Sequence, residues 1–414
     1  MKRFGRVRLM SEPLATLANL VRRPSVNPMG RDVSGPEYLE GRVTEYLVQR
    51  FAAIGLPHLR QKVAPGRDNV VARLEATVPA APVILWDAHQ DTVPAEGMTI
   101  DPFTPTVRDG RLFGRGACDV KGGMAAMLVA IDRLRAADAA RHATVLFAAT
   151  VNEEFGFSGA KALARLWEEP AADAPTSDAA AREFVGARPA AAIIAEPTDL
   201  DLVTQHKGAI RWRIRIRGRA CHSSFPERGE NAIYPAGRVI LAIEALAREL
   251  LTRNPDHPCG PPTLSLGTIH GGSGVNLVPD LVILEVERRV LPGESPIAAR
   301  DEVIERITAA SGDARVEHDA PFLESGGMSA EHPQAAAVAD WLAAAAMSQG
   351  ASPRRLAARY GTNASVYAAA GVPCVVFGPG SIAQAHTVDE WIEVDQVEAA
   401  VAALTAFVTS PAKL

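Results

Sequence analysis

Short unbroken apolar runs alternate along this chain with longer stretches of helical periodicity, and that alternation limits the folds open to it. Residues 69–74, 83–86, 143–149 and 191–195 are rich in Val, Ile, Leu and Ala and have the length of strands. Between them, residues 36–54, 122–134 and 160–167 read as helices, the first stopping at Gly55. Strands that are apolar on both faces must be covered on both faces. The expectation is therefore an α/β fold with a helix-covered, mainly parallel sheet. The rhythm breaks at residues 169–190, whose Ala, Pro, Asp and Ser content reads as an exposed loop with some fraying helix.

From Gly208 the character changes. Arg211, Arg213, Arg215, Arg217 and Arg219 form a strictly alternating row, with Trp212, Ile214 and Ile216 between them. That period of two describes a strand with one solvated face, and it argues against a polyanion site. A helix at 231–251, strands at 264–269 and 281–290, and a helix at 296–309 complete a compact α+β module. The α/β pattern then resumes with helices at 335–347 and 394–408 and a strand at 374–377. With 414 residues the chain exceeds one ordinary core. We expect a discontinuous first domain, 1–207 and 319–414, and an inserted domain, 208–318.

A hydrophobic content of 47% and a charged content of 22% belong to a globular protein, and the net charge of −5 gives no reason to expect nucleic acid or an anionic membrane. Cys118, Cys221, Cys259 and Cys374 lie far apart without a CxxC pair, which favours free thiols over a disulfide framework. The basic start, residues 1–9, has no apolar segment behind it, and no run approaches the ~20 apolar residues of a membrane span. A cytoplasmic protein is expected.

The chemistry sits just past the apolar runs. His89 and Asp91 follow the run at 83–86; Asp119, the pair Glu153-Glu154 and Glu196 follow others, and His386 comes late. Loops beyond the C-terminal ends of parallel strands are where α/β sheets place ligands, so these distant positions can meet on one rim. Imidazole and carboxylate are good zinc ligands, and a shared carboxylate can hold two ions ~3.5–4 Å apart. Burying so many carboxylates without cations would be very costly. Asp91, two residues beyond His89 on an extended segment, can orient the imidazole with its carboxylate. Of Glu153 and Glu154, one would bind metal and the other would take a proton from the attacking water.

In these residues the chain resembles the dinuclear-zinc M20 amidohydrolases, the family that includes acetylornithine deacetylase, succinyl-diaminopimelate desuccinylase and glutamate carboxypeptidases. The likeness runs from about Leu14 onward. It rests on Asp87-Ala88-His89-Gln90-Asp91-Thr92-Val93-Pro94, on residues 114–123, and on Asn152-Glu153-Glu154-Phe155-Gly156, Glu196-Pro197-Thr198 and His206-Lys207-Gly208. His222-Ser223-Ser224 and Ala385-His386-Thr387-Val388-Asp389-Glu390 extend it. The resemblance implies that His89 and Glu196 complete one metal site and Glu154 and His386 the other, with Asp119 bridging. It implies Glu153 as general base, Asp91 as the partner of His89, and a cis peptide after Asp119.

The inserted module would be a lid and dimerisation domain. There His222 would polarise the scissile carbonyl, often from the partner subunit, and Asn276 and Arg289 would hold a substrate carboxylate. Arg288 is the alternative to Arg289, because neighbours on a strand face opposite ways. The loop that includes Gly361 and Thr362 would add backbone donors. Asn363 stands where the family often has Asp, so a charge is lost there.

The implied reaction is metal-dependent hydrolysis of the amide bond of N-acyl amino acids by a water activated between two Zn(2+) ions, with Co(2+) or Mn(2+) as alternatives. Acetylornithine is a candidate substrate; desuccinylation and dipeptide cleavage are runners-up. The implied partners are a small molecule and a second copy of the chain. A metal-free binding protein is the competing class, opposed by the presence of every ligand type. A nucleotide enzyme finds no support, because Gly378-Pro379-Gly380 is not a GxGxxG turn opening a helix.

Overall fold

Apolar strands need cover, and in the computed structural model, which describes residues 11–168 and 176–412, the chain provides it in two units. The first takes the described residues of Met1–Thr204, Ala330–Leu356 and Val366–Leu414; the second takes Gln205–Ser329 and Ala357–Ser365. The basic start at residues 1–9 and the first part of the 169–190 segment lie outside the described residues. The remainder of that segment opens with a helix, Thr176–Val185, where the sequence suggested mainly loop.

An eight-stranded sheet runs through the order His58–Ala64, Arg67–Leu74, Thr144–Thr150, Val83–His89, Ala191–Ile194, Cys374–Val376, Leu202–His206 and Arg355–Ala358. Its four middle members, Thr144–Thr150 to Cys374–Val376, are mutually parallel. The strands beside them turn antiparallel. The fold is thus α/β with a central, mostly parallel sheet, as the apolar runs predict. His58–Ala64 and Leu202–His206 went unread because their polar residues hide the strand signal. The helix Gly41–Ala53 also begins later than the periodicity suggests, since Leu39 has a left-handed φ of 61° and ends the extended approach.

Helices seal the sheet. Met124, Leu128 and Ile131 of Gly122–Ala136 share one core with Val338, Trp341 and Leu342 of Pro333–Ser348 and with Val401, Leu404 and Phe407 of Val394–Thr409. The Trp341 and Phe407 rings lie 3.9 Å apart. Each such side chain contributes about 1.5–3 kcal/mol through burial, so the rim of the sheet rests on a stiff base.

In the second unit, Gly208–Arg217 pairs with Leu281–Val290, which pairs with Thr263–Gly271; Arg315–His318 adds on the other side. Trp212, Ile214 and Ile216 face Val239, Ile243 and Leu246 of the helix Ile233–Leu250 and Val303 and Ile307 of Pro296–Ser311. The arginines occupy the opposite face, and each meets an acid. Arg211 reaches Glu287 at 2.6 Å, Arg213 reaches Glu285 at 2.8 Å, Arg215 reaches Asp319 at 2.9 Å and Arg217 reaches Glu317 at 3.0 Å. The row is a neutralised ladder of opposite charges across the sheet face. The Ala357–Ser365 segment joins this unit through Ser325–Ser365 and His206–Thr362 hydrogen bonds.

Candidate metal centre and active site

Strand register brings the site together. His89 pairs with Thr150, while Asp87 pairs with Ala148 and Ile194, and Val376 pairs with Ile194. The C-terminal ends of the parallel strands are therefore nearly level. Glu153 and Glu154 lie just beyond Thr150, Glu196 just beyond Ile194, and His386 on the longer loop after Val376.

Asp119 lies between two imidazoles. Its Oδ1 is 3.1 Å from His89 Nε2 and its Oδ2 is 3.3 Å from His386 Nε2, and His386 Nε2 also lies 3.2 Å from Glu154 Oε2. One donor atom from each of His89, Asp119 and Glu154 falls within 4.8 Å of the others, a group able to hold a metal ion. The Asp119–Val120 peptide is cis. His89 donates from Nδ1 to the carbonyl of Asp91 at 2.9 Å, which leaves Nε2 toward Asp119.

That bond corrects one expectation. The nearest carboxylate oxygen of Asp91 is 3.7 Å from His89 Nδ1, and the backbone carbonyl orients the ring instead. The carboxylate is occupied elsewhere. It accepts from Asn27 Nδ2 at 2.7 Å and from the backbone N–H groups of Glu153 and Glu154 at 3.1 and 3.2 Å.

The loop that presents Asp119 is held by Glu390, a residue of a quoted motif that carried no assigned role. Buried Glu390 accepts the backbone N–H groups of Gly116, Cys118 and Asp119 at 2.9, 2.8 and 3.0 Å and pairs with Arg115 at 2.7 Å. Gly116 has a φ of 79°, which suits glycine, and an added Cβ would lie 2.7 Å from Thr92 Cγ2.

Electrostatics test whether these residues fit a cation. Burial pushes Glu153 up to about 8; His89 opposes this, while the charges of Glu154, Asp119 and Asp91 add to it. Burial also raises Glu154 and Glu196, with Asp119 adding in both cases. Hydrogen bonds to Asp119 and Glu154 lift His386 to about 11. For Asp119 burial alone would raise the pKa, but the hydrogen bonds to His386 and His89 hold it below the usual carboxylate range. Four buried acids and buried His89, with the more open His386 beside them, form a set that keeps protons to balance its charge and that divalent cations can take over. The residues fit a metal centre with N and O ligands.

Residues 85–410 match peptidase family M20/M25/M40. The chain belongs to that family. Within it, the chain is 30% identical over 367 residues to a Myxococcus xanthus protein named acetylornithine deacetylase, covering 85% of this chain and 87% of that one. An Edwardsiella ictaluri protein of the same name is 34% identical over 323 residues, 75% and 76% of the two chains. Among solved structures, a Bacillus subtilis protein described as a dinuclear metal binding peptidase from the M20 family shares the fold. Its TM-score is 0.62 at 15% identity, over 96% of each chain. This M20 protein is accordingly a hydrolase, as its motifs led us to expect. Among the described residues, no helix is long and apolar enough to cross a membrane.

The remaining sequence-selected residues lie in the second unit. His222 is exposed, in a short strand pair with Leu277, and its Nδ1 accepts the N–H of Ser224 at 3.1 Å. Asn276 is exposed beside it, its carbonyl accepting the N–H of Ser223 at 3.0 Å. Arg288 is fully buried and pairs with Glu294, whereas Arg289 is on the more open face, 3.0 Å from Glu287. Gly361 adjoins Arg289: a Cβ there would sit 3.6 Å from Arg289 Nη1 and 2.9 Å from the Lys207 carbonyl oxygen, so the contact requires glycine. The Thr362 hydroxyl is 3.1 Å from His206 Nε2, whose ring donates from Nδ1 to the Lys207 carbonyl at 2.8 Å. Nε2 is thus the acceptor and the hydroxyl its donor.

Proposed function

We propose that this protein hydrolyses the amide bond of N-acyl amino acids, with N-acetylornithine the first candidate substrate. The observation that carries this reading is Asp119 placed between His89 and His386, with Glu154 beside His386. In this reading His89 and Glu196 would hold one metal and Glu154 and His386 the other, with Asp119 shared between them. Zinc suits the ligands, and cobalt or manganese could occupy the same set. When bound, the two ions would polarise the acyl carbonyl and make a water more acidic.

The protein's own groups perform the rest. Glu153, buried beside the proposed ligands, takes a proton from the attacking water and returns it to the leaving amine. Asp91 fixes the backbone of Glu153 and Glu154. His222 donates to the carbonyl oxygen as negative charge develops. Arg289, Asn276 and the loop with Gly361 and Thr362 hold the free carboxylate, for which a planar guanidinium is well suited.

We assign residues 208–318 as a lid and dimerisation domain. Support for a homodimer comes from Tyr234 and Leu241, which are 71% and 65% exposed seven residues apart on one helix, and from Ile269, 54% exposed on the strand at the sheet edge. Four free cysteines, three of them buried, suit the cytoplasm.

The test is amine release from a panel of N-acetyl, N-succinyl and N-formyl amino acids and dipeptides, with and without chelator and added zinc. Zinc-dependent release from the N-acetyl members supports the reading, and N-acetylornithine should lead. Release only from N-succinyl substrates or dipeptides would replace the substrate class within the same chemistry. A protein that binds no metal and hydrolyses nothing would be a binding protein.

A further inference from the structure

Three side chains outside every quoted motif, buried Asn27 and Glu40 and partly buried Arg67, meet at the turn that carries Glu153 and Glu154. Glu40 is fully buried and grips Arg67 through both oxygens, Oε2 to Nε at 3.0 Å and Oε1 to Nη2 at 2.9 Å. Glu40 Oε1 also accepts the backbone N–H of Asn152 at 3.2 Å. Arg67 Nη1 donates to Asn152 Oδ1 at 2.5 Å. Asn27 Nδ2 donates to that same oxygen at 3.0 Å and to Asp91 Oδ2 at 2.7 Å. Asp91 in turn accepts the N–H groups of Glu153 and Glu154. Asn152 adopts a left-handed φ of 63°, a conformation that Asn tolerates better than most residues, and its Nδ2 donates to Ser158 Oγ at 3.0 Å.

The turn is therefore held on both sides. On one side Glu40 and Arg67 fix the backbone and side chain of Asn152. On the other, Asp91 fixes the next two backbone N–H groups, and Asn27 ties the two sides together. We propose that Glu40, Arg67 and Asn27 are positioning residues that set the direction of the Glu153 and Glu154 side chains. The proposal rests on the reading of Glu153 as base and Glu154 as metal ligand. One guanidinium bonds Glu40 through Nε, keeps Nη2 2.9 Å from its other oxygen as an ion pair and aims Nη1 at Asn152, a three-point arrangement that a lysine could not reproduce. Asn27 can reach two acceptors at once because its amide carries two N–H groups.

The alternative is that the network only satisfies buried polar groups. Stability, metal affinity and turnover separate the two. The full chain carrying Asn27→Ala or Arg67→Lys is stripped with chelator and titrated with zinc by calorimetry, alongside kcat, KM and thermal unfolding. Both variants should weaken one of two zinc sites by about 10–100-fold, the range for partners of metal ligands. kcat should fall by at least about tenfold while KM stays within about twofold, the signature of an interaction made in the transition state. Arg67→Lys is the variant that keeps the charge beside Glu40 and so guards against simple misfolding. Zinc affinities and kcat equal to wild type overturn the proposal, whether or not the melting temperature drops. If the wild type binds two zinc ions but cleaves none of the N-acyl panel, the substrate reading fails and the zinc titration alone decides the brace.

Discussion

Glu390 Oε1 accepts the backbone N–H of Asp119 at 3.0 Å, although 271 residues separate the two in sequence. The same carboxylate takes the N–H groups of Gly116 and Cys118, so it works on the loop as a whole. Arg115, itself buried, supplies the opposite charge. A buried acid with this many donors fixes its surroundings more firmly than a neutral group could, because charged hydrogen bonds are the stronger kind.

Replacing Glu390 with Gln leaves Arg115 buried without its counter-charge. We expect a stability loss of about 3 kcal/mol, at the low end for breaking a buried ion pair. Zinc affinity should fall with it, because one of the two oxygens that accept from the Gly116, Cys118 and Asp119 N–H groups becomes an NH2 that can only donate. Urea unfolding and calorimetric zinc titration check both; a variant as stable as wild type would show that the loop holds itself.

Glu153→Gln should bind zinc and substrate like wild type while kcat falls by about 10²–10⁴-fold, the usual contribution of a general base. The measurement is steady-state kinetics on the best substrate of the panel, paired with metal analysis. Retained turnover would remove Glu153 from its role.

His386→Ala should lower the number of zinc ions bound per chain, read by elemental analysis after dialysis. Chelator treatment of wild type should abolish hydrolysis and lower the melting temperature, since a ligand of the folded state stabilises it by mass action. An unchanged zinc content would leave His386 as a mere neighbour of Asp119.

His206 gives a pH dependence of stability with a definite sign. Burial lowers its pKa from 6.5 to about 4, against a smaller opposing effect of the Lys207 carbonyl. The unfolded chain takes up a proton as pH falls through about 6.5, while the folded protein resists until about 4. Stability is therefore lost between those values, by up to about 3 kcal/mol, and the loss levels off below. Other groups titrate in the same window, so the check is the difference between wild type and His206→Gln in urea unfolding at pH 7, 6, 5 and 4. That difference should shift across the window; a constant one would refute the assignment.

Light scattering should find two chains per particle, and Tyr234→Glu with Leu241→Glu should yield a monomer. A monomeric wild type would mean that this apolar face has another purpose.

The parallel centre of the sheet was legible because Val83–His89 and Thr144–Thr150 are buried on both faces and so carry continuous apolar sequence. His58–Ala64 was not, since an edge strand with one wet face can be built from His, Arg and Lys. At the site, a metal set of this kind would be drawn from His and acids, and that restriction singled out His89, Asp119, Glu154 and His386, which the structure brings together. Asp91 shows the limit. Spacing placed it near His89, but whether its carbonyl or its carboxylate meets the imidazole depends on Asn27 and on the 152–154 turn. Asn27, Glu40 and Arg67 left no sequence signal, because any polar residue of suitable reach can support a turn and only geometry shows which one does.

The lateness of His386 and Glu390 in the sequence bears on how the protein is made. A ribosome that has released residues up to about 380 has delivered the middle strands of the sheet and most ligands, but neither the second imidazole beside Asp119 nor the acid that shapes its loop. The arrangement seen here thus depends on the short segment from His386 to Glu390, which must fold back onto the Asp119 loop, 271 residues before Glu390. A product that stops before His386 lacks both groups, and with them the means to shape the Asp119 loop and to place a second imidazole beside it.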